Sequence, residues 1–306
     1  MMDLTVGITS YNQCGLLVEA IDSVLAQTLR PREIIIVDDA SEDDSPQLIR
    51  SYAAHYPDLV RPIILARNSG PNAARNHVIE AAQGQRLSFL DGDDRWLPTK
   101  LEREAARLNG PDRPDAVFSN FYFTAKDGAH MFLWATDQTP PEGYLLPQVL
   151  MLDLPRTTLF RSEIAPTNLW HRAGQFDASF AIYGDWDMKI RLAAQVPRFG
   201  YVDEPLCEYR RHGAGISNKP VEMHLAAVDH IEQKYAPLVE QLAATHSQAI
   251  GHGLDHFRAK LWRRAALDVC LQRPANFRKT ALGLYKRSWQ YDRVLDPRLL
   301  WHLFKP

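Results

Sequence analysis

The sequence predicts an α/β protein whose sheet is largely parallel in the first half of the chain, followed by a helical C-terminal extension. Two observations support this prediction. Short apolar runs alternate with amphipathic helical stripes through about residue 110, and the connections between them are short, which is typical of repeated βαβ units. From Val221 onward helical patterns dominate. In a sheet of this kind, ligands bind in the crevice at the carboxyl ends of the strands.

The elements of the first half follow one another in a regular order. A strand is expected over Leu4 to Thr9, and apolar residues at helical spacing between Leu16 and Leu25 predict the first helix. The β-branched run from Glu33 to Val37 predicts a strand that is covered on both faces. The alternation continues with helix 47–56, strand 62–66, helix 71–82, strand 86–90 and helix 98–108.

The alternation loosens in the second half, where we expect the sheet to become mixed. We divide the chain into a first domain over 1–217 and a helical extension over 218–306. We expect an aromatic-rich strand over 115–125, short elements with Pro-containing turns over 126–183, a helix over 187–194 and a last strand within 199–209. The helices of the extension are expected to be interrupted near Gly251, Gly253, Pro274 and Pro297.

The composition is that of an ordinary globular protein of 306 residues, with 45% hydrophobic and 24% charged residues. Three cysteines that lie far apart predict neither a disulfide framework nor a zinc site. The N-terminus leads directly into a strand without the features of a signal peptide, and no stretch approaches 18 uninterrupted apolar residues. We therefore expect a cytoplasmic location.

The most informative local feature is the run Asp91-Gly92-Asp93-Asp94, which directly follows the apolar strand ending at Leu90. A solvated charge cluster has no reason to begin where a buried strand ends. Closely spaced carboxylates at a strand end suit a hard divalent cation, which takes one or two carboxylates and completes its shell with water and phosphate oxygens. The run therefore predicts a site for a nucleoside diphosphate and a metal ion.

Six phrases, in the same order along the chain, together resemble the nucleotide-sugar glycosyltransferases of family 2, which have the GT-A fold. The resemblance covers about residues 3–217. A lone pair of acids at this spacing is a weak signal, whereas six ordered matches are a strong one. The phrases are Thr9-Ser10-Tyr11-Asn12, Ile34 to Ser41, Asn68 to Asn76, Phe89 to Asp94, Tyr183 to Asp187, and Tyr209 to Ser217.

The resemblance implies a nucleotide pocket built from four residues. Thr9 and Tyr11 follow the first strand and are expected to bond to the base and to pack on it. Asp39 is expected to accept a base N–H, while Asp38 holds backbone amides. Arg75 offers a planar fork for phosphate or base oxygens, and a structural salt bridge to an acid after the second strand is the alternative.

The resemblance also implies a metal and diphosphate site with Mn²⁺ or Mg²⁺. Asp93 is expected to coordinate the metal and Asp91 to face the ribose and metal-bound water. His212 is expected to ligate the same metal or to bond to a phosphate oxygen. Arg210 and Arg211 precede a glycine-rich segment and are expected to neutralise the leaving group.

Asp185 is the implied catalytic base. Similar sequences have Glu-Asp before an aromatic residue, and here Gly184 replaces the first acid. A positioned carboxylate removes the proton of the acceptor hydroxyl as the new bond forms. Asp187 is expected to begin the following helix, where its charge suits the helix dipole. Exchange of the two roles is the alternative.

The resulting hypothesis is an inverting, metal-dependent glycosyltransferase that uses a UDP- or dTDP-linked sugar and a glycan or lipid-linked acceptor, as in bacterial surface polysaccharide synthesis. A nucleotidyltransferase acting on sugar phosphates is one alternative. Such enzymes carry a basic Gly-rich loop after the first strand, however, and Thr9 to Leu16 contains no basic residue. A non-catalytic nucleotide-sugar-binding subunit is the other alternative.

Residues 257–306 carry twelve Lys and Arg against three acids, whereas the preceding residues carry 23 basic and 34 acidic side chains. These basic residues are interleaved with aromatic ones such as Trp262, Tyr285, Trp289 and Trp301. The pattern suits peripheral contact with an anionic membrane at the inner face of the plasma membrane. Packing of the same residues onto the protein or onto a second subunit is the alternative, and the oligomeric state stays open. We expect no nucleic-acid partner.

Overall fold

A computed structural model describes residues 1–212, 220–245, 253–272, 276–294 and 296–304. The chain divides into two compact units. The N-terminal unit comprises Met1–Ser179 and Gly184–His212, and the C-terminal unit comprises Phe180–Tyr183 and Gly213–Pro306. The boundary expected at residue 217 falls outside the described residues and stays a prediction. No sequence pattern indicated that the segment Phe180–Tyr183 groups with the C-terminal unit.

The first sheet of the N-terminal unit has the strand order β3-β2-β1-β4-β8. The neighbouring pairs among β1 to β4 are all parallel, and only β8 runs antiparallel, beside β4. The predicted parallel half of the sheet is therefore confirmed. The strands are β1 (Met2–Ser10), β2 (Pro31–Asp38), β3 (Val60–Ile64), β4 (Arg86–Asp91) and β8 (Ala165–Pro166).

Four helices follow the early strands in the predicted alternation. Helix α1 buries the stripe Leu17, Ala20, Ile21 and Val24, which has the spacing of one helical face. The strand β2 is buried at every residue except Arg32, as its β-branched run predicts. The helices are α1 (Cys14–Leu25), α2 (Ser45–His55), α3 (Pro71–Ala81) and α4 (Lys100–Leu108).

A second sheet, with strand order β5-β9-β6-β7, makes the fold mixed as expected. The long strands β6 and β9 pair in parallel, whereas β5 and β7 pair antiparallel with β9 and β6. Its core is aromatic: the ring of Phe118 stacks on Phe160 at 4.5 Å and that of Phe121 on Trp134 at 5.2 Å. The strands are β5 (Arg95–Trp96), β6 (Ala116–Thr124), β7 (His130–Leu133) and β9 (Phe199–Arg210).

Short elements fill the segment that the sequence left irregular. Helix α7 begins three residues before the predicted start at residue 187, so that Asp185 and Asp187 both lie in its first turn. The two-residue strands β5 and β8 were not predicted, because so few residues show no periodicity. The remaining elements are α5 (Leu146–Met151), a 3₁₀ turn (Pro155–Thr157), α6 (Thr167–Ala173) and α7 (Gly184–Ala193).

The described residues from 220 onward are mainly helical, which confirms the predicted helical extension. A shared core joins its later helices through eight buried residues: Val221, Ala266, Val269, Cys270, Ala281, Tyr285, Leu299 and Leu303. Pro297 begins a helix rather than only interrupting one. Among the described residues, no helix is both long and apolar enough to cross a bilayer. The helices are α8 (Val221–Thr245), α9 (Leu254–Gln272), α10 (Phe277–Trp289) and α11 (Pro297–Phe304).

Candidate active site

The predicted site residues at the ends of β1, β2 and β4 lie at the same edge of the sheet. Thr9 near the end of β1 is in register with Asp91, the last residue of β4, and Ser10 is in register with Asp38, the last residue of β2. The amide of Gly92 donates to the Thr9 carbonyl at 3.0 Å, and a Cβ at Gly92 would lie only 2.8 Å from that oxygen. Glycine is therefore needed where the acidic run leaves the sheet.

Asp93 and His212 are adjacent in space. Nε2 of His212 lies 2.8 Å from Oδ2 of Asp93, and the two side chains are 9% and 22% exposed. The acidic run and the end of β9 are joined by a second bond, because the Arg210 amide donates to Oδ1 of Asp94 at 2.8 Å. The end of β9 thus places His212, two residues further on, beside the carboxylates that follow β4.

This pair fits a divalent cation bound mainly through a substrate. Within the described ranges, no three His, Cys, Asp or Glu side chains converge as a ready-made metal cage. Asp93 and His212 offer one carboxylate and one imidazole, which leaves most coordination positions to phosphate oxygens and water, as Mg²⁺ and similar cations commonly arrange them. The residues present therefore fit Mn²⁺ or Mg²⁺ carried with a diphosphate.

The two acids after β2 are both buried and both bonded to backbone amides. Oδ2 of Asp38 accepts from the Ser41 amide at 2.9 Å. The two carboxylate oxygens of Asp39 accept from the amides of Ser69 and Gly70, each at 2.8 Å. Burial raises the pKa of Asp39 even though these amides favour its charged form. Each oxygen of Asp39 retains a lone pair for a further donor, so base recognition by Asp39 stays a prediction.

The remaining predicted nucleotide residues differ in their exposure. Thr9 is buried, whereas the side chain of Tyr11 is 46% exposed and offers an open aromatic face. Nη2 of Arg75 donates to Oδ1 of Asp91 at 2.6 Å, and its guanidinium lies 5.6 Å from the Phe176 ring centroid. The partner of Arg75 is therefore Asp91 at the end of β4, not one of the acids at the end of β2.

Arg161 is a site residue that the sequence did not reveal. Its Nη1 lies 3.6 Å from Asp91 and 3.9 Å from Asp94, and its guanidinium stacks 3.4 Å from the centroid of Tyr209. Arg161 lies in the irregular stretch between the 3₁₀ turn and β8, and only the folded chain brings it to these acids. No pattern in the sequence could have identified it.

The pKa values of Asp91 and Asp94 are shifted in opposite directions. Burial alone would raise the pKa of Asp91, but Arg75 and Arg161 outweigh burial and hold it below its usual range. Burial and the neighbouring charge of Asp93 raise the pKa of Asp94 well above its usual range. The surroundings thus favour the charged form of Asp91 and disfavour that of Asp94.

Arg210 is the last residue of β9 and Arg211 follows it, and the two side chains have different surroundings. The Arg210 side chain is buried and its Nη2 donates to Glu19 of α1 at 2.7 Å. Its Nε and Nη1 atoms are buried without a hydrogen-bond partner in the described part of the chain. Arg211 is exposed. The glycine-rich segment that follows His212 lies outside the described residues.

Asp185 and Asp187 have distinct environments in the first turn of α7. Asp187 is fully buried and accepts from Nη2 of Arg191 at 2.6 Å. Asp185 is partly exposed, and its Oδ1 accepts from the Trp186 amide at 2.9 Å. Burial would lower the pKa of Arg161, but Tyr209, Asp94 and Asp91 raise it, and the charge of Asp185 adds a smaller contribution in the same direction. Asp185 therefore belongs electrostatically to the acidic site, whereas Asp187 is held in a salt bridge.

Packing explains why residue 184 is a glycine. A Cβ at this position would lie 2.3 Å from Nδ2 of Asn72, whose side-chain amide donates to the Asp177 carbonyl at 3.0 Å. An acid at position 184 would therefore collide with Asn72. The Asn72 amide occupies the space beside the helix start, and this is a second site feature that the sequence alone did not indicate.

The fold is that of the GT-A glycosyltransferases. It combines a largely parallel sheet with a second, mixed sheet, and helices follow. The family model described as glycosyl transferase family 2 matches residues 5–165. The chain belongs to this family, as its six motifs predict. Mycobacterial relatives 33% identical over 213 residues match 68% of the chain, and the chain spans 58% of their length.

Three further similarities are informative. The succinoglycan biosynthesis protein ExoO of Rhizobium meliloti is 37% identical over 163 residues, covering 53% of this chain and 44% of ExoO. TarS of S. aureus, in complex with UDP-GlcNAc, has a TM-score of 0.62 at 18% identity, covering 96% of this chain and 92% of that one. The mannosyltransferase PcManGT of Pyrobaculum calidifontis, in complex with GDP-Man and Mn²⁺, has a TM-score of 0.58 at 18% identity, covering 99% and 86%.

Proposed function

We propose that the protein is an inverting, metal-dependent glycosyltransferase that transfers a sugar from a nucleoside diphosphate to a hydroxyl of a glycan or lipid-linked acceptor. The observation that carries the proposal is the contact between Asp93 and His212 just beyond the carboxyl end of β4, the strand that ends at Asp91. A hard cation with few protein ligands is suited to this place, and a diphosphate supplies the oxygens that such a cation needs.

The similar structures support the choice of ligands. TarS is bound to UDP-GlcNAc and PcManGT to GDP-Man and Mn²⁺. We favour a UDP- or dTDP-linked sugar, with Thr9, Tyr11 and Asp39 around the base. The relationship to ExoO, named for succinoglycan biosynthesis, supports a role in bacterial surface polysaccharide synthesis.

The proposed reaction is a single in-line displacement. The acceptor oxygen attacks the anomeric carbon as the bond from that carbon to the diphosphate oxygen breaks, and the configuration inverts. Asp185 takes the proton of the acceptor hydroxyl, since it is the partly exposed carboxylate of its helix turn. Arg75 and Arg161 hold Asp91 in its charged form. Asp93 and His212 would hold the cation, which when bound would supply positive charge to the departing diphosphate. Such preorganised stabilisation is often the largest catalytic effect.

A panel of nucleotide sugars with Mn²⁺, Mg²⁺ or EDTA tests the proposal through the product that is released. Metal-dependent release of a free nucleoside diphosphate together with an inverted glycoside supports it. Release of pyrophosphate would identify a nucleotidyltransferase instead. Binding without turnover, in both the unaltered protein and the Asp185→Asn variant, would identify a non-catalytic nucleotide-sugar-binding subunit.

The C-terminal unit adds a proposed location. Residues 277–304 contain six Lys and Arg against two Asp. Trp301 and Phe304 of α11 are 55% and 76% exposed, although Leu299 and Leu303 of the same helix are buried. A basic surface with exposed aromatic side chains suits the interface of an anionic membrane, where a lipid-linked acceptor would be found. Peripheral attachment through this surface at the inner face of the plasma membrane is therefore part of the proposal.

A further inference from the structure

Tyr183, which directly precedes Gly184 and Asp185, has a strained backbone. Its φ angle is 62°, in the left-handed region that large side chains rarely adopt. A large residue in this region is strained and persists only where its surroundings hold it in place. The question is which contacts hold Tyr183 in this conformation.

The Tyr183 side chain ends in a polar cluster within the C-terminal unit. Its hydroxyl donates to Oδ2 of Asp268 and lies 3.0 Å from Nδ1 of His224. Nε of Arg264 donates to the same Asp268 oxygen at 3.1 Å. Asp268 and His224 are both buried. One carboxylate of α9 thus receives the tyrosine hydroxyl and an arginine, with a histidine of α8 beside them.

The charges of this cluster stabilise the hydrogen bond from the Tyr183 hydroxyl to Asp268. Burial would raise the pKa of Asp268, but Arg264 and the hydrogen bonds from His224 and Tyr183 lower it below its usual range. Burial and the charge of Asp268 raise the pKa of Tyr183 well above its usual range, so the phenol stays protonated as a donor. Hydrogen bonds to a charged acceptor are roughly twice as strong as neutral ones.

A second contact holds the start of the same segment. Phe180 is 3% exposed, and its ring stacks on His230 of α8 with centroids 4.2 Å apart. The ammonium of Lys234 lies 5.2 Å from the Phe180 centroid. The segment Phe180–Tyr183 is therefore bound at both ends to residues of the C-terminal unit, and the next residue in the chain begins helix α7.

We infer that Tyr183 and Asp268 are positioning residues, which hold the strained backbone that sets the orientation of Asp185. This inference rests on the proposed role of Asp185 as the base. The Tyr183 hydroxyl lies in the cluster with Asp268 and His224, and its effect on the reaction passes through the two peptide bonds between Tyr183 and Asp185. A small rotation at residue 183 displaces the carboxylate from the acceptor oxygen, and misplacement of about 1 Å can cost 10²-fold in rate.

The experiment compares Tyr183→Phe with Tyr285→Phe. Tyr285 is a suitable control because it is a buried tyrosine of the same unit, whose hydroxyl donates to the Val294 carbonyl at 3.2 Å. We expect Tyr183→Phe to lower kcat about tenfold or more while UDP affinity in Mn²⁺ stays within about twofold. Amide hydrogen exchange over residues 183–187 should accelerate in this variant. Tyr285→Phe should change neither quantity.

Asp268→Asn provides an independent variant of the same contact, and it should reproduce both effects. Combined with Tyr183→Phe, it should lower kcat little further, because both changes act on the same contact between Tyr183 and Asp268. Unchanged kcat and exchange in Tyr183→Phe and in Asp268→Asn would overturn the inference while Asp185→Asn remained inactive. Equal losses in Tyr183→Phe and Tyr285→Phe would also overturn it, by indicating a general loss of stability. Full activity of Asp185→Asn, in contrast, would reject the proposed base itself.

Discussion

Nε2 of His212 lies 2.8 Å from Oδ2 of Asp93, although 119 positions separate the two residues in the chain. The antiparallel pairing of β5 with β9 brings the two segments together, since Arg95 is in register with Glu208. A carboxylate and an imidazole at this distance can share one cation after a small adjustment. Metal-dependent nucleotide binding therefore tests whether Asp93 and His212 belong to one metal site.

Asp93→Ala should weaken metal-dependent nucleotide binding at least tenfold, which corresponds to about 1.4 kcal/mol. The variant removes the carboxylate ligand and leaves only the imidazole to the cation. Titration calorimetry with UDP in Mn²⁺ and in EDTA measures the effect. Asp127→Ala is the control, because Asp127 lies in an exposed turn where it bonds to the Ala129 amide. Equal affinity of the Asp93→Ala and unaltered proteins in both buffers would reject the metal assignment.

Asp185→Asn should reduce turnover roughly 10²-fold or more and leave donor binding nearly unchanged, a typical share for general-base catalysis. The amide keeps the shape of the side chain and loses the proton acceptor. Asp187→Asn is the matched variant in the same helix turn and should mainly lower stability, because Asp187 is fully buried against Arg191. Steady-state kinetics and thermal unfolding of both variants separate the two roles. A larger kinetic loss in Asp187→Asn would show that the base had been assigned to the wrong residue.

The parallel half of the fold was predictable because its signals are local. The β-branched strand β2 and the apolar stripe of α1 lie within single elements, and their periods are visible in the sequence. The partners of Arg161 and Gly184 are set by packing between distant segments. Arg161 meets Asp91 across 70 positions that contain β6 and several irregular turns. Such a juxtaposition leaves no periodic trace in the sequence. The motifs therefore indicated the acids and Arg75, whereas only the fold revealed Arg161.

Arg161→Met should strengthen the binding of Mn²⁺ alone and weaken the binding of UDP in EDTA. The guanidinium lies 3.6 Å from Asp91 and 3.9 Å from Asp94, so its removal makes the site more negative. A cation then gains attraction and an unaccompanied diphosphate loses it. Arg156→Met is the control, since Arg156 also stacks on an aromatic ring, 4.6 Å from the Phe132 centroid. Calorimetry that finds both affinities unchanged in Arg161→Met would remove Arg161 from the site.

Lys100→Met should lower the free energy of unfolding by about 3–5 kcal/mol at pH 7, the usual cost of breaking a buried ion pair. Lys100 and Glu104 are both fully buried and form an ion pair within α4. Burial already raises the pKa of Glu104 despite Lys100, so loss of Lys100 should raise it further. A carboxyl whose folded pKa is raised loses stability as pH rises above its unfolded pKa, so the deficit should shrink toward pH 5.

Urea unfolding at the two pH values measures this deficit. The double variant Lys100→Met/Glu104→Gln should recover part of the loss, because it leaves no uncompensated charge in the interior. A deficit in Lys100→Met that is independent of pH would contradict the electrostatic explanation and would favour lost packing against Trp96, whose ring centroid lies 4.5 Å from the Lys100 ammonium.

Trp301→Ser combined with Phe304→Ser should abolish the binding of the protein to anionic vesicles. Both side chains are exposed on α11, while Leu299 and Leu303 hold the same helix in its core. Their replacement should therefore leave the fold intact and remove the aromatic anchors, after which the basic residues alone bind weakly and release at moderate salt. Tyr56→Ser is the control, because Tyr56 is also an exposed aromatic residue but belongs to the N-terminal unit. Co-sedimentation with phosphatidylglycerol and phosphatidylcholine vesicles at low salt should show binding of the unaltered and Tyr56→Ser proteins to the anionic vesicles only. A dimer in the unaltered protein that dissociates in the double variant, without any vesicle binding, would instead assign this surface to a second copy of the chain.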